Sequence, residues 1–454
     1  MSYQQKIVRT LRLRNRNVRG TLAKVCNTIS ENGGDIGDIK TLSLGELNNI
    51  RDISIITQDE ASLANIIASL QKISEVEIEQ IIDDVLELHQ GGKLVISPRY
   101  PVKSIDDLRR VYTPGVASVS KLIADDPRKA RMYTVIPRTV AICTNGSRVL
   151  GLGNIGPVAA MPVMEGKAAL FTQFAKIAMI PVLINTLNPE EFIQTVVKMS
   201  PTFGAIQLED IRTPDCYEIE EKLIGLLDIP VMHDDQHGTA TVTLAAAINA
   251  CKYGGKKLSD VKVGQVGLGA AGSAIARLIM SYTGQTVYGA DPRDYAQHRH
   301  KGFGGKILPL DELMKSVDLV ISTTGQKDLI QPAMIRKGQI ILALSNPHPE
   351  IAVESALKAG AAFASDGAQV NNLLGFPGLL KGACDCRASR MTQAMYLAAA
   401  DMIASLASPG ELVPSAIDPL VHLRVAQAVA KAAIASGVAR HQLDSDYFTN
   451  DRGW

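Results

Sequence analysis

At 454 residues the chain has room for about three domains of ordinary size, with a sizeable core. Lys and Arg number 47 against 46 Asp and Glu, a formal net charge of +1, so no global field draws it to nucleic acid or an anionic membrane. Hydrophobic residues at 46% and charged residues at 20% exclude a disordered chain, and aromatics at 4% exclude a base-stacking platform.

The first thirty residues hold Lys6, Arg9, Arg12, Arg14, Arg16, Arg19 and Lys24 but no acid, which imitates a transit peptide. These cations alternate with Ile7, Leu11 and Leu13 at the period of a half-buried strand, so the segment is read as folded and the protein as cytoplasmic. A strand near 6–14, a helix after Gly20, strands near 35–43 and 50–57, a helix near 60–72 and a strand near 76–87 give the order βαββαβ of a ferredoxin-like domain over residues 1–90. With Gly20 opening the helix and the turn Glu31-Asn32-Gly33-Gly34-Asp35-Ile36, this unit resembles an ACT domain. The resemblance implies a small effector, an amino acid or other metabolite; a dimerisation module without ligand is the alternative.

Gly91-Gly92 and Ser97-Pro98 mark a linker. Beyond it, β-branched runs alternate with helical stretches, the pattern of an α/β protein. No apolar run approaches the roughly 18 residues of a membrane span. The cysteines are scattered without zinc-finger spacing, and Cys384 and Cys386 read as small buried side chains. An Ala-rich helical stretch covers 390–440.

Gly267-Leu268-Gly269-Ala270-Ala271-Gly272 follows a strand and opens a helix, the context of a Rossmann pyrophosphate loop. Asp291, at the end of the next strand, can accept from a ribose 2′-hydroxyl and repel a 2′-phosphate, favouring NAD over NADP; Arg293 offsets part of that repulsion. Gly151-Leu152-Gly153-Asn154-Ile155-Gly156 fits the same pattern. Pro157 follows it at once and no acid stands where a ribose needs one, so this loop is read as backbone shaping a substrate pocket. Two further stretches put carboxylates after short strands: Leu208-Glu209-Asp210 and His233-Asp234-Asp235. Converging acids need a cation, and hard oxygen ligands point to Mg²⁺ or Mn²⁺.

These residues, with Tyr112-Thr113-Pro114-Gly115-Val116, Leu150 through Gly156, and Pro162-Val163-Met164-Glu165-Gly166-Lys167, form an ordered series that resembles the compact bacterial malic enzymes over about 98–440. The resemblance implies a catalytic α/β domain at 98–238 joined by C-terminal helices at 390–454, and a Rossmann-type NAD domain at 239–389. It matches Tyr112 to a general acid and Lys167 to a general base, with Asp234 beside the lysine. It makes Glu209, Asp210 and Asp235 the metal ligands. Asn346 and Asn372 become amides touching substrate and nicotinamide, and Thr324 joins Gly267, Gly269, Ala270, Ala271, Gly272 and Asp291 as a cofactor contact. Arg148 falls where larger relatives hold a malate carboxylate.

The expected reaction is oxidative decarboxylation of (S)-malate to pyruvate and CO₂ by a homodimer or higher homo-oligomer. A lysine serves as base only if its pKa falls from about 10 toward neutrality. Burial beside a divalent cation pushes that way, and Asp234 opposes it. Alternatives on the same fold are a malolactic-type or oxaloacetate-decarboxylating enzyme, or a regulatory protein that senses NAD or an effector without catalysis.

Overall fold

In β1 (Ile7–Arg16), Leu11, Leu13 and Asn15 are buried while the arginines between them point outward. The computed structural model describes residues 6–149, 151–368 and 370–450, so Leu150 of the first glycine loop lies outside the described residues, as do both ends of the chain. The chain divides into two units, 1–93 and 94–454.

In the first unit, β2 (Asp35–Leu44), β3 (Asn48–Thr57) and β4 (Val76–Ile82) join β1 in an antiparallel sheet of order β2-β3-β1-β4, the split βαβ arrangement. Leu11 stands opposite Ile53 across β1 and β3. The helices Thr21–Glu31 and Glu60–Leu70 cover this face with Val25, Ile29, Ile66 and Leu70. Asp59 caps the second helix by accepting from the Ser62 N–H at 2.7 Å. The other face carries cross-strand ion pairs, among them Arg12 with Asp52 at 2.8 Å. The last strand is shorter than its apolar run suggests. Asp83 accepts from the N–H groups of Val85 and Leu86, capping a helix over Asp84–His89 where a strand to 87 was expected.

The second unit holds two parallel sheets. One has the order β6-β5-β7-β8, from β5 (Thr139–Thr144), β6 (Ala178–Leu183), β7 (Ala205–Leu208) and β8 (Val231–His233). The other contains β9 (Val263–Val266), β10 (Tyr288–Ala290), β11 (Lys306–Ile307), β12 (Leu319–Ser322), β13 (Ile340–Ala343) and β14 (Phe363–Asp366), in the order β11-β10-β9-β12-β13-β14. This is the Rossmann strand order, with its switch point between β9 and β12. The first sheet switches between β5 and β7. Ligands collect at such points, beyond the carboxyl ends of the strands.

Helix Asp234–Tyr253 runs between the two sheets and is buried on nearly every side. A continuous core extends from Val140 and Ile142 through Leu244 and Ala247 to Val263 and Leu319. Fully buried Phe171 and Phe376 stack at 6.3 Å, each contributing about 1.5–3 kcal/mol by burial. Helix Gln393–Leu406 packs on Asp234–Tyr253, and Pro419–Ala435 packs on Phe376–Asp385. The buried Asn249 amide ties the first of these pairs, donating to the carbonyls of Ala404 and Leu412 at 2.9 and 2.8 Å. Cys384 and Cys386 are buried and unpaired. Among the described residues no helix is long and apolar enough to cross a membrane.

Candidate active site

β7 ends at Leu208, and the Glu209 N–H still bonds to the Cys143 carbonyl at 3.0 Å, so Glu209 keeps the position of a strand residue. Asp210 then turns with φ of 54°, a conformation Asp tolerates better than most residues. β8 runs directly into helix Asp234–Tyr253, placing Asp234 and Asp235 in the first turn, where free N–H groups favour anions. Glu209, Asp210 and Asp235 each offer a carboxylate oxygen within 4.8 Å of the others.

These acids fit a divalent ion. Asp210 Oδ2 is buried without a hydrogen-bond partner, although burying an anionic oxygen unpaired is costly. Burial raises the Glu209 carboxyl well above its usual range, against the pull of Lys167, and the acid neighbours add to it. Burial and Asp235 push Asp210 up to about 7. Four clustered acids with one lysine are starved of positive charge.

Helix Gly156–Ala175 delivers that lysine. Lys167 Nζ lies 2.8 Å from Glu209 Oε1 and donates to Asp234 Oδ2, with the Phe376 ring 5.2 Å from its charge. Asn372 donates to the same Asp234 oxygen at 2.9 Å. Gly238, one helical turn on, makes the room: a Cβ there would stand 1.9 Å from Asp234 Oδ1. Burial lowers the Lys167 pKa, but Asp234, Glu209 and Asp235 outweigh it and the net direction is up. The acids thus hold the amine protonated, and a fall toward neutrality needs a cation that offsets those carboxylates.

Across a cleft of about 430 Å³ lies the second glycine loop. Gly267 follows β9 directly, and Ala270 opens helix Ala270–Thr283. Gly272 is there for close packing, since a Cβ would meet the Gly267 carbonyl oxygen at 1.8 Å. Gly269, Ala270, Ala271, Thr324, Asn346 and Asn372 line the cleft together with Asp210, Asp235 and Arg148. The structure thus brings together most of the residues singled out in the sequence.

Three of the sequence's candidates stand apart from this grouping. Tyr112 ends helix Ile105–Val111 and is 66% exposed; it does not line the cleft. Asp291 stands beside the glycine loop with both oxygens already engaged, by the Leu268 N–H at 2.7 Å and by the Arg293 guanidinium at 2.7 and 2.8 Å. A ribose hydroxyl would have to compete with that guanidinium, so Asp291 is not a free acceptor. The loop Gly151–Gly156 does not itself line the cleft; it follows Arg148, which does, and starts the helix that carries Lys167.

Sequence reasoning missed Glu220. This buried acid accepts from the His233 N–H at 2.7 Å, from Gln236 at 2.8 Å and from His237 at 3.1 Å, bracing the turn that presents Asp234 and Asp235. Its signal was available: Glu220 falls with Cys216 and Leu223 on the apolar stripe of helix Asp215–Leu226.

Residues 92–224 match the family model described as the malic enzyme N-terminal domain, and residues 333–442 match the malic enzyme NAD binding domain. The NAD-dependent malic enzyme 1 of Bacillus subtilis (strain 168) is 49% identical over 432 residues, covering 95% of this chain and 98% of that protein. The chain belongs to the malic enzymes. An NAD-dependent malic enzyme of Geobacillus stearothermophilus is 42% identical over 92% of this chain and 93% of its own length. Among solved structures, a malic enzyme from Pyrococcus horikoshii Ot3 superposes with a TM-score of 0.75 at 39% identity, covering 80% of this chain and 93% of that one. The NAD-dependent malic enzyme of Thermotoga maritima gives 0.72 at 38% identity, with 76% and 99% covered.

Proposed function

We propose that this malic enzyme oxidises (S)-malate to pyruvate and CO₂ with reduction of NAD, using Mg²⁺ or Mn²⁺. The observation that carries the reading is the lone lysine among four carboxylates, two of which, Asp210 and Asp235, line the same cleft as a dinucleotide loop. Held by Glu209, Asp210 and Asp235, the cation would supply Lewis acidity toward the oxygens of the 2-hydroxy acid. NAD on the Gly267–Gly272 loop would supply the hydride acceptor.

The chain's own residues do the rest. Lys167, in its neutral form, takes the C2 hydroxyl proton, with Asp234 Oδ2 hydrogen-bonded to the amine and orienting it. Asn372 bonds the same oxygen and keeps it from turning away. Arg148, exposed at the cleft mouth, is suited to a substrate carboxylate.

Tyr112 is the proton donor to C3, and a second copy of the chain brings it to the cleft. The exposed apolar side chains Val102, Ile105, Leu108 and Val111 on the same segment support a homodimer. The split-βαβ unit is an ACT-like regulatory domain for a small effector, and the protein works in the cytoplasm. Purified protein with malate and Mn²⁺ should form NADH at 340 nm, faster with NAD than with NADP and not at all with EDTA. Lactate without net NADH would instead favour a malolactic reaction. That alternative has support in a 41% identical Bacillus subtilis relative named bifunctional malic/malolactic enzyme, matched over 80% of this chain and 96% of its own length.

A further inference from the structure

Glu350 lies in the loop after β13 and is completely buried, yet no Lys or Arg is paired with it among the described residues. One of its oxygens, Oε1, accepts three hydrogen bonds: from the Thr324 N–H at 2.6 Å, from the Thr324 hydroxyl at 2.8 Å and from the Ser345 hydroxyl at 2.6 Å. Its other oxygen, Oε2, has no partner. The network goes one bond further on each side. Ser345 Oγ accepts from the Gly325 N–H at 2.8 Å, and Thr324 Oγ1 accepts from the Gln326 N–H at 3.0 Å.

Thr324 and Gly325 follow β12, whereas Ser345 and Asn346 follow β13, and all four line the cofactor side of the cleft. These are two separate loops beyond the ends of adjacent strands. The strand ladder stops just short of them, its last rung being the Leu344 N–H on the Ser322 carbonyl at 2.9 Å. Past that rung, the Glu350 carboxylate takes over as the tie between them. A buried anion without a cation is expensive, and three charge-assisted bonds to one oxygen are what offset it.

We propose that Glu350 is a positioning residue: a carboxylate clip that fixes the Thr324–Gly325 and Ser345–Asn346 loops relative to each other and so sets the cofactor subsite. This rests on the reading of the cleft as a dinucleotide site. Glu350→Ala should leave the Thr324 and Ser345 donors without their acceptor and weaken NADH binding about tenfold or more, with KM for NAD rising in parallel. KM for malate should rise less than KM for NAD, since Asn346 is the part of these loops expected to touch substrate, and the Mn²⁺ dissociation constant should move less than about twofold, since the acids follow strands of the other sheet. Glu350→Gln keeps an acceptor at Oε1 and should recover most of the loss. Ser345→Ala, which removes one donor and spares the carboxylate, should show the same KM split to a smaller extent and serves if Glu350→Ala fails to fold.

Binding is read by NADH fluorescence on the full-length protein, beside steady-state kinetics. Failure of the wild type to bind NADH would overturn both the dinucleotide reading and the clip. With wild-type binding intact, an NADH affinity unchanged in Glu350→Ala, or equal losses in NAD and malate terms, would overturn the clip alone.

Discussion

The chain carries the same glycine spacing twice, and the two loops differ in what they ask of their glycines. Gly267 turns with φ of 84°, but the added need in Gly267–Gly272 is space: the Gly272 Cα approaches the Gly267 carbonyl so closely that no Cβ fits. In Gly151–Gly156 there is room around each glycine, and the need is backbone angle, with φ of 74°, 73° and 78° at Gly151, Gly153 and Gly156. The first loop follows β9 without a gap; the second is separated from the end of β5 by a turn. A glycine pattern thus names a cofactor loop only when strand and helix flank it directly.

That contrast can be broken at several points. The largest effect belongs to the helix launched by Gly151–Gly156. Lys167→Ala should lower turnover by at least about 10²–10⁴-fold while NADH still binds, as kinetics and fluorescence on one preparation would show. Near-normal turnover would remove Lys167 from the chemistry. Mixing that variant with Tyr112→Phe would reveal whether sites are shared, because mixed dimers regain one intact site only if the tyrosine crosses over.

Next come the glycines themselves. Gly272→Ala forces the loop apart and should cost about 1–3 kcal/mol of stability along with most NADH affinity. Gly153→Ala should cost about 1–2 kcal/mol through its left-handed backbone and leave NADH binding alone. Equal loss of NADH affinity in both would erase the distinction. Thermal melts and titrations decide it.

A smaller effect separates the two sides of the cleft by pH. Asp210, pushed up to about 7, must be deprotonated to hold a cation, so Mn²⁺ affinity should weaken as pH falls through about 7, while NADH affinity stays level. The sign for folding is the reverse. A carboxyl raised from 3.8 gives the metal-free protein its full contribution below about 4 and loses it as pH rises toward 7, where added Mn²⁺ should restore the melting temperature. Smallest is the cofactor ratio: Asp291→Asn frees Arg293 and should narrow NAD preference over NADP, an effect that vanishes in the double variant with Arg293→Ala.

Much of this was readable in advance because strand ends and glycine loops are local features. The acids after β7 and β8 follow their strands by one or two residues, so their convergence needs only a parallel sheet. Arg293 was readable as a neighbour of Asp291, but not that it takes up both carboxylate oxygens, since a residue two positions away can equally face solvent. The exposure of Tyr112 was hidden too, because a helix end near a linker says nothing about which surface covers it. Asp83 as a helix cap lost to an apolar run that continued past it. Glu220 had a periodic signal and Glu350, in a loop, had none.

Helix Asp234–Tyr253 begins with two of the four acids and is buried along most of its length of about 30 Å, so those acids take their place from a rod anchored throughout the core. One inserted residue near its start would swing the acids by about 100° around the axis. Length variation in this chain is therefore forbidden along that rod and tolerable only in the surface turns on either side of it.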